Sequence, residues 1–404
     1  MAGQDKAPHR SGMVALVGRP NVGKSTLMNA MIGEKVSIIT PVAQTTRNQI
    51  RGIQNLEEAQ IVYLDTPGIH HARKALNRYM VDVALRALSE VDLVLYLVDA
   101  TRPDPAVVPE ASKNNDSRNP GYQEDSFILR ELRKANVPVF LVVNKVDRVQ
   151  EKTALLPLIT SYNDALDFEE VIPISALNDE GLDVLVKEIS KRLPEGPPLF
   201  PAEFSTDMAE RFLVAEAIRE KLILHTRQEL PHSTAVIIEG FDESEREPIE
   251  TSVGRTGVDG SLEALASELV TPTEELEEHE LPPDQPPPIH GLNNADEEAF
   301  DEEGFAEEFG RDLDEDEDVA PPPVAASEPR RGLVRIDATI VVERASQKGI
   351  VIGKRGSMLK TVGTEARKDI EALLGCRVFL QLWVRVAKNW SKNEKALRQL
   401  GYRD

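Results

Sequence analysis

Gly18-Arg19-Pro20-Asn21-Val22-Gly23-Lys24-Ser25 stands between the apolar run Val14-Ala15-Leu16-Val17 and the helix-like stretch Thr26 to Ile32. The spacing G-x-x-x-x-G-K-S is that of a phosphate-binding loop. Gly18 and Gly23 let the backbone wrap close to a polyphosphate, so that main-chain N–H groups point at the β-phosphate. Lys24 places a compact positive charge on the β- and γ-phosphates, and Ser25 offers a hydroxyl to Mg2+. Strand, loop and helix follow in the order the motif needs, with the positive end of the helix dipole at the phosphates. The nucleotide-binding set of this loop is Gly18, Arg19, Pro20, Asn21, Val22, Gly23, Lys24, Ser25 and Thr26. An empty glycine turn is the competing reading.

Outward from this loop, short apolar runs recur at Ile61–Asp65, Leu93–Asp99, Val137–Asn144 and Val171–Ile174, separated by helical stretches. This alternation predicts a three-layer α/β domain with a mostly parallel sheet over residues 12–195. Arg102 to Asp125 breaks the rhythm with proline, asparagine and charge, and predicts a polar insertion at about 103–124. Residues 1–11 read as a flexible tail and 196–206 as a linker.

Further motifs fall in the order that a guanine-nucleotide site requires. In Asp65-Thr66-Pro67-Gly68 the carboxylate reaches Mg2+ through water, and the Gly68 N–H senses a γ-phosphate. Thr45-Thr46-Arg47 lies where a mobile loop brings a threonine hydroxyl to the metal; the residues alone leave Thr45 and Thr46 open. In Asn144-Lys145-Val146-Asp147, Asp147 accepts both hydrogen bonds from guanine N1–H and the exocyclic amine, which adenine cannot supply. Ser175-Ala176-Leu177 offers a backbone N–H to guanine O6. Each run by itself is most often just a turn or a charged loop; the ordered set at strand ends carries the argument. After Gly68, where Ras-like enzymes place a glutamine that orients water, stands Ile69, which predicts slow intrinsic hydrolysis. No catalytic side chain is assigned; Thr46 and Gly68 are switch residues. Asn21 is a candidate K+ ligand or, alternatively, an asparagine that stabilises its turn.

The 404 residues carry a formal net charge of −22 and one cysteine, Cys376. No intrachain disulfide can form, which suits a reducing cytosol. No apolar stretch approaches a bilayer span, and residues 1–11 carry no apolar signal-peptide core, which predicts a soluble chain. The charge is segregated: residues 242–329 hold 29 acidic and three basic residues, whereas 330–404 hold 17 basic and seven acidic. The acidic stretch is rich in proline and poor in aromatics, and reads as a disordered insertion. It hides a basic domain formed by 207–241 and 330–404, with the expected order α-β-β-α-α-β. There Gly353-Lys354-Arg355-Gly356 breaks two helices over Gly349 to Leu374. Paired glycines admit a nucleic-acid backbone, and the basic residues with helix N-termini favour phosphate. This is the pattern of a type II KH domain. Lys348, Lys360, Arg367 and Lys368 widen the positive face, although any of them also reads as a solvated helix charge.

GRPNVGKS (18–25), AQTTR (43–47), DTPG (65–68), NKVD (144–147) and SAL (175–177), followed by SQKGIVIGKRGSMLKTVGTEARKDIEALLGCRVFLQLWVRV (346–386) and ALRQLGY (396–402), resemble the bacterial Era GTPase family. The resemblance implies a Mg2+-dependent GTPase, GTP and GDP as ligands, and Thr46 as the metal-ligating threonine. It also implies binding near the 3′ end of 16S ribosomal RNA, assistance to 30S subunit assembly, and a cytoplasmic monomer with a fraction peripheral on the membrane. The acidic insertion and the polar loop depart from the family. The insertion reads as a solvated loop or as a tethered RNA mimic. A membrane-surface or signalling GTPase whose KH-like domain binds protein is the alternative function.

Overall fold

The computed structural model describes residues 9–69, 75–101, 120–226, 230–246 and 332–402. The expectations for residues 1–8, for most of the polar insertion and for most of the acidic insertion lie outside these residues.

The first half is a six-stranded sheet, in the order β2-β3-β1-β4-β5-β6, of β1 (Arg10–Gly18), β2 (Ile50–Asn55), β3 (Ala59–Asp65), β4 (Leu93–Asp99), β5 (Val139–Asn144) and β6 (Glu170–Pro173). All pairings are parallel except β2 with β3. Helices α1 (Lys24–Ile32), α2 (Ala75–Ala87), α3 (Pro120–Ala135), α4 (Leu155–Asn163) and α5 (Leu182–Arg192) complete it. Alternate residues of each strand enter opposite layers: Ala15, Val17, Val62 and Tyr96 pack with Ile128 and Leu158, while Leu16, Ile61, Tyr63 and Phe140 pack with Leu27 and Leu185. Burial on both faces explains why these strands read as continuous apolar runs. β2, with the mixed sequence IRGIQN on the sheet edge, has no such signature and escapes a reading by hydropathy.

Three expected boundaries are corrected. The tail does not extend to residue 11: Arg10 opens β1, pairing with Ala59 and donating from Nη1 to Leu193 O at 2.6 Å. The polar insertion does not extend to residue 124, because α3 begins at Pro120. The acidic insertion does not begin at residue 242, because the next strand continues to Arg246, where the guanidinium pairs with Glu210 at 2.6 Å. The segment 196–206 has no regular structure, yet it is pinned to the sheet. Gln60 Oε1 accepts from Leu199 N and Phe200 N, Asn55 Nδ2 donates to Ala202 O and Phe204 O, and Ile53 N donates to Ser205 O.

The second half begins with α6 (Glu210–His225) and the single turn α7 (Leu230–Ser233). β7 (Thr234–Arg246), β8 (Gly332–Val342) and β9 (Arg377–Val386) form a sheet in which β7 and β8 are antiparallel and β8 and β9 parallel. Helices α8 (Ala345–Ile352) and α9 (Ser357–Leu374) precede β9, and α10 (Glu394–Gln399) follows it. The start of α8, four residues earlier than the sequence suggests, is set by Gln347, whose Oε1 accepts from Glu343 N and Arg344 N at 2.9 Å each. Val214, Ile218, Val362, Ala366 and Ile370 of the helices close over Val334, Ile336, Ala338 and Ile340 of β8. With the core order α-β-β-α-α-β, this is the type II KH arrangement.

Candidate nucleotide and RNA sites

Gly18, Asp65, Asp99 and Asn144 end parallel strands on one edge of the first sheet, so the sequence motifs converge there. The helix after the loop starts at Lys24 rather than Thr26, which puts Lys24 and Ser25 in its first turn. Lys24 Nζ donates to Gly18 O at 3.2 Å and Arg19 O at 2.9 Å; burial holds its ammonium down at about 8, against the opposing pull of Asp65. Asp65 Oδ2 accepts from Ser25 Oγ at 2.6 Å, Ser37 Oγ at 2.8 Å and Thr46 Oγ1 at 3.3 Å, and the Ser25 and Thr46 hydroxyls lie 3.0 Å apart. Thr45 Oγ1 instead bonds Val42 O and Thr40 Oγ1.

This cluster fits a hard divalent cation. Two hydroxyls and a buried carboxylate offer oxygen ligands, and Asp65 Oδ1 is buried with no hydrogen-bond partner. Burial pushes the Asp65 carboxyl up, a cost that a cation with bound water relieves.

Gly68 shows why that position admits no side chain: a Cβ there would stand 2.7 Å from Pro20 N. Ile69 N donates to Gly18 O at 3.2 Å, and the Ile69 side chain is fully buried in the layer containing Val17 and Val62. Its side chain is therefore committed to the core. Asn21, at φ +61, donates from Nδ2 to Pro41 O at 2.9 Å and so ties the phosphate loop to the switch segment.

At the base end, Asn144 acts as a clamp: Nδ2 donates to Val22 O at 2.8 Å, and Oδ1 accepts from Lys145 N and Ala176 N. Lys145 Nζ donates to Asn21 O and Asp99 Oδ2, both at 2.7 Å. Asp147 Oδ1 accepts from Ser175 Oγ at 2.6 Å, which orients its carboxylate. Ser175 N donates to Glu180 O, so the Leu177 N–H is the donor of that run which neither bond uses. Thr66 Oγ1 donates to Leu16 O and holds the start of the DTPG loop.

Several residues at this site escape the motif reading. Arg19 pairs with Glu124 at 2.8 Å and Asp125 at 3.3 Å on α3, and burial pushes Asp125 up to about 6 although Arg19 and Tyr96 pull it down. The switch segment is held by the second half of the chain. Arg47 is buried and donates to Thr234 O at 2.7 Å, Pro231 O at 2.8 Å and Tyr402 Oη at 3.0 Å, with its guanidinium 5.8 Å from the Trp390 ring centroid. Arg219, also buried, donates to Thr45 O and pairs with Glu216. Glu220 accepts from Ile39 N at 3.0 Å and pairs with Lys35 at 2.6 Å. Helix α2 packs through Leu76 and Met80 against Val341, Trp390 and Tyr402.

In the second half, Lys354–Gly356 forms one 3-10 turn between α8 and α9. Gly353 takes φ +74, and a Cβ there would meet the Met358 backbone N at 2.8 Å. Lys354 and Arg355 are exposed at the tip. Lys348 on α8 and Lys360, Arg367 and Lys368 on α9 are also exposed; Arg367 lies 4.0 Å from Glu371.

Fold and site together define a P-loop GTPase joined to a type II KH domain. A family described as 50S ribosome-binding GTPase matches residues 13–145, and the KH domain family matches 324–391. GTPase Era of Geobacter metallireducens is 42% identical over 98% of both chains, and that of Geotalea uraniireducens 39% identical over 97% of this chain and 98% of its own. Aquifex aeolicus Era Y63A bound to GDP·AlF4− superposes with a TM-score of 0.68 at 32% identity, covering 97% of this chain and 99% of that one. Era in complex with MgGDPNP and nucleotides 1506–1542 of 16S ribosomal RNA gives 0.69 at 32% identity, covering 98% and 99%. The chain belongs to the Era family of GTPases.

Proposed function

We propose that this protein is a GTP-hydrolysing switch that binds 16S ribosomal RNA near its 3′ end through the KH domain and assists 30S subunit assembly and rRNA maturation. The observation that carries this reading is the union in one chain of the Ser25–Thr46–Asp65 cluster with an exposed Gly353–Gly356 loop. The likeness to a relative solved with MgGDPNP and 16S rRNA nucleotides supports it.

Lys24 and the loop N–H groups hold the β- and γ-phosphates. Ser25 and Thr46 would hold Mg2+ directly and Asp65 would hold it through water; the 3.0 Å between the two hydroxyls favours Thr46 over Thr45. Bound Mg2+ supplies charge neutralisation at the β- and γ-phosphate oxygens. Asp147 reads the guanine edge, Asn144 and Lys145 brace the base end, and Ser175, Ala176 and Leu177 wall it. Intrinsic hydrolysis is slow because the side chain after Gly68 is buried and apolar. Asn21 Oδ1 would ligate K+ beside the phosphates. Turnover in K+ is then at least several-fold faster than in Na+; equal rates remove Asn21 from that role and leave it as the tie to Pro41.

Lys354 and Arg355, with Lys348, Lys360 and Arg367, meet RNA phosphates while Gly353 and Gly356 admit the backbone. The protein works as a cytoplasmic monomer with a peripheral membrane fraction; among the described residues no helix is long and apolar enough to cross a membrane. The test is the double substitution Lys354→Asp with Arg355→Asp, assayed on the isolated 3′ segment of 16S rRNA. RNA affinity drops by about 100-fold or more, and GTP hydrolysis without RNA stays near its original rate. Undiminished RNA binding rejects the KH assignment.

A further inference from the structure

The KH sheet has two faces; α6, α8 and α9 cover one, while α2 and α10 reach the other near Ala235 and Val341. On the other, the edge strand β9 presents Arg377, Phe379, Gln381, Trp383 and Arg385 in strict alternation, all exposed. Phe379 is 47% and Trp383 59% exposed, whereas the intervening Val378, Leu380, Leu382 and Val384 pack into the core beneath. Arg335, opposite Phe379 on β8, places its guanidinium 5.8 Å from the Phe379 ring centroid and pairs with Glu245 at 3.1 Å. Neither Arg377 nor Arg385 forms an ion pair within the described residues.

We infer that this face is a second single-strand RNA surface, on which Phe379 and Trp383 stack bases and Arg377 and Arg385 meet the flanking phosphates. The inference rests on the KH domain binding RNA and extends the bound length beyond the Gly353–Gly356 loop. Two aromatic rings on an open sheet face, interleaved with arginines, form a stacking platform that tolerates any base, since every base has a π face. Four residues along a strand separate the rings by about 13 Å, room for stacked bases on each. Continuity favours RNA as the occupant. β9 is the edge strand, α8 and α9 lie on its far side and carry the glycine loop between them, and a strand leaving that loop has only one edge to round. The two unpaired arginines suit a polyanion.

The experiment uses the full chain and two probes: a single-stranded RNA of about ten nucleotides from the 16S 3′ region, and a fragment of about four nucleotides, the length a KH loop clamps. Phe379→Ala with Trp383→Ala lowers affinity for the long RNA about 30-fold or more. Affinity for the short one and GTP turnover stay unchanged, and Trp383→Phe retains most of the long-RNA affinity. Long RNA, but not short, quenches the fluorescence of Trp383, the exposed one of the two tryptophans. Equal losses for both probes, or none for either, overturn the platform. A double variant with full RNA affinity but weaker attachment to 30S subunits, or with altered self-association, overturns it in favour of a protein partner or a second copy. If the unaltered chain binds neither probe, the RNA reading of the KH domain falls as well.

Discussion

Asp147→Asn moves base preference from guanine to xanthine, with discrimination against GTP changing by about 10⁴-fold. The carboxylate sits on a 3-10 turn, Val146–Arg148, immediately after β5. Ser175 donates to its Oδ1 at 2.6 Å, which fixes the group in one orientation and leaves the other oxygen for the base. Guanine brings two donors to that edge. An asparagine keeps its oxygen on Ser175 and turns an N–H toward the base, so that two donors meet and both lose their partners. Xanthine carries an oxygen in place of the exocyclic amine and pairs with that N–H. Competition of GTP, XTP and ATP for the variant measures the shift. Retained preference for GTP would show that Asp147 does not read the base.

Arg47→Ala is expected to lower the unfolding midpoint and to weaken Mg2+-dependent binding of a GTP analogue more than binding of GDP. Arg47 is 3% exposed, and its guanidinium meets two carbonyls, a phenol oxygen and an indole face. Truncation strands Thr234 O and Pro231 O in a buried setting, at about 1–3 kcal/mol for each group. At about 2–4 °C per kcal/mol for a domain of this size, the midpoint falls by roughly 4–24 °C. Thr46 is the neighbouring residue, and its hydroxyl is placed on Ser25 and Asp65 partly because Arg47 on one side and the Arg219–Thr45 bond on the other anchor the backbone. Arg47→Lys restores little, because one ammonium cannot span acceptors arranged for a planar fork. A melting profile and analogue dissociation rate that both match the unaltered protein would show that the anchor is dispensable. Coupling is reciprocal: if the KH domain steadies Thr46, then the nucleotide state biases the KH domain by the same free energy.

The nucleotide site was legible in the chain because its chemistry is local. GRPNVGKS, DTPG and NKVD are runs of four to eight consecutive residues, and buried parallel strands announce themselves as apolar runs. Apolar Ile69 was legible as a loss of the water-orienting group, but its burial beside Val17 became visible only in the packed layer. Asn144 and Lys145 read as base contacts, and the structure adds that they brace Val22, Ala176 and Asn21. β2 was not legible, since its two buried isoleucines, Ile50 and Ile53, enter opposite layers and are separated by Arg51 and Gly52, which breaks any apolar run or alternation.

Arg47 stood in plain view inside a quoted motif, and nothing in its neighbours predicted its role. Its acceptors Thr234 and Tyr402 lie 187 and 355 residues away, so only folding brings them within 3.0 Å. The linker likewise reads as a spacer, yet Gln60 and Asn55 pin it to the sheet. The exposed rings of β9 emerge only with the fold, because α6, α8 and α9 cover the opposite face and α2 and α10 reach Ala235 and Val341 rather than Phe379 and Trp383. The sequence by itself determined the ligand chemistry and the order of the two domains, because spacing within a loop and periodicity within a strand are short-range properties. The tertiary structure alone decided what holds the switch segment and which aromatic side chains remain open, and it set the Thr46 hydroxyl, already implied by the family resemblance, 3.3 Å from Asp65. Those outcomes depend on long-range closure, where a buried donor takes whichever acceptor the packing delivers.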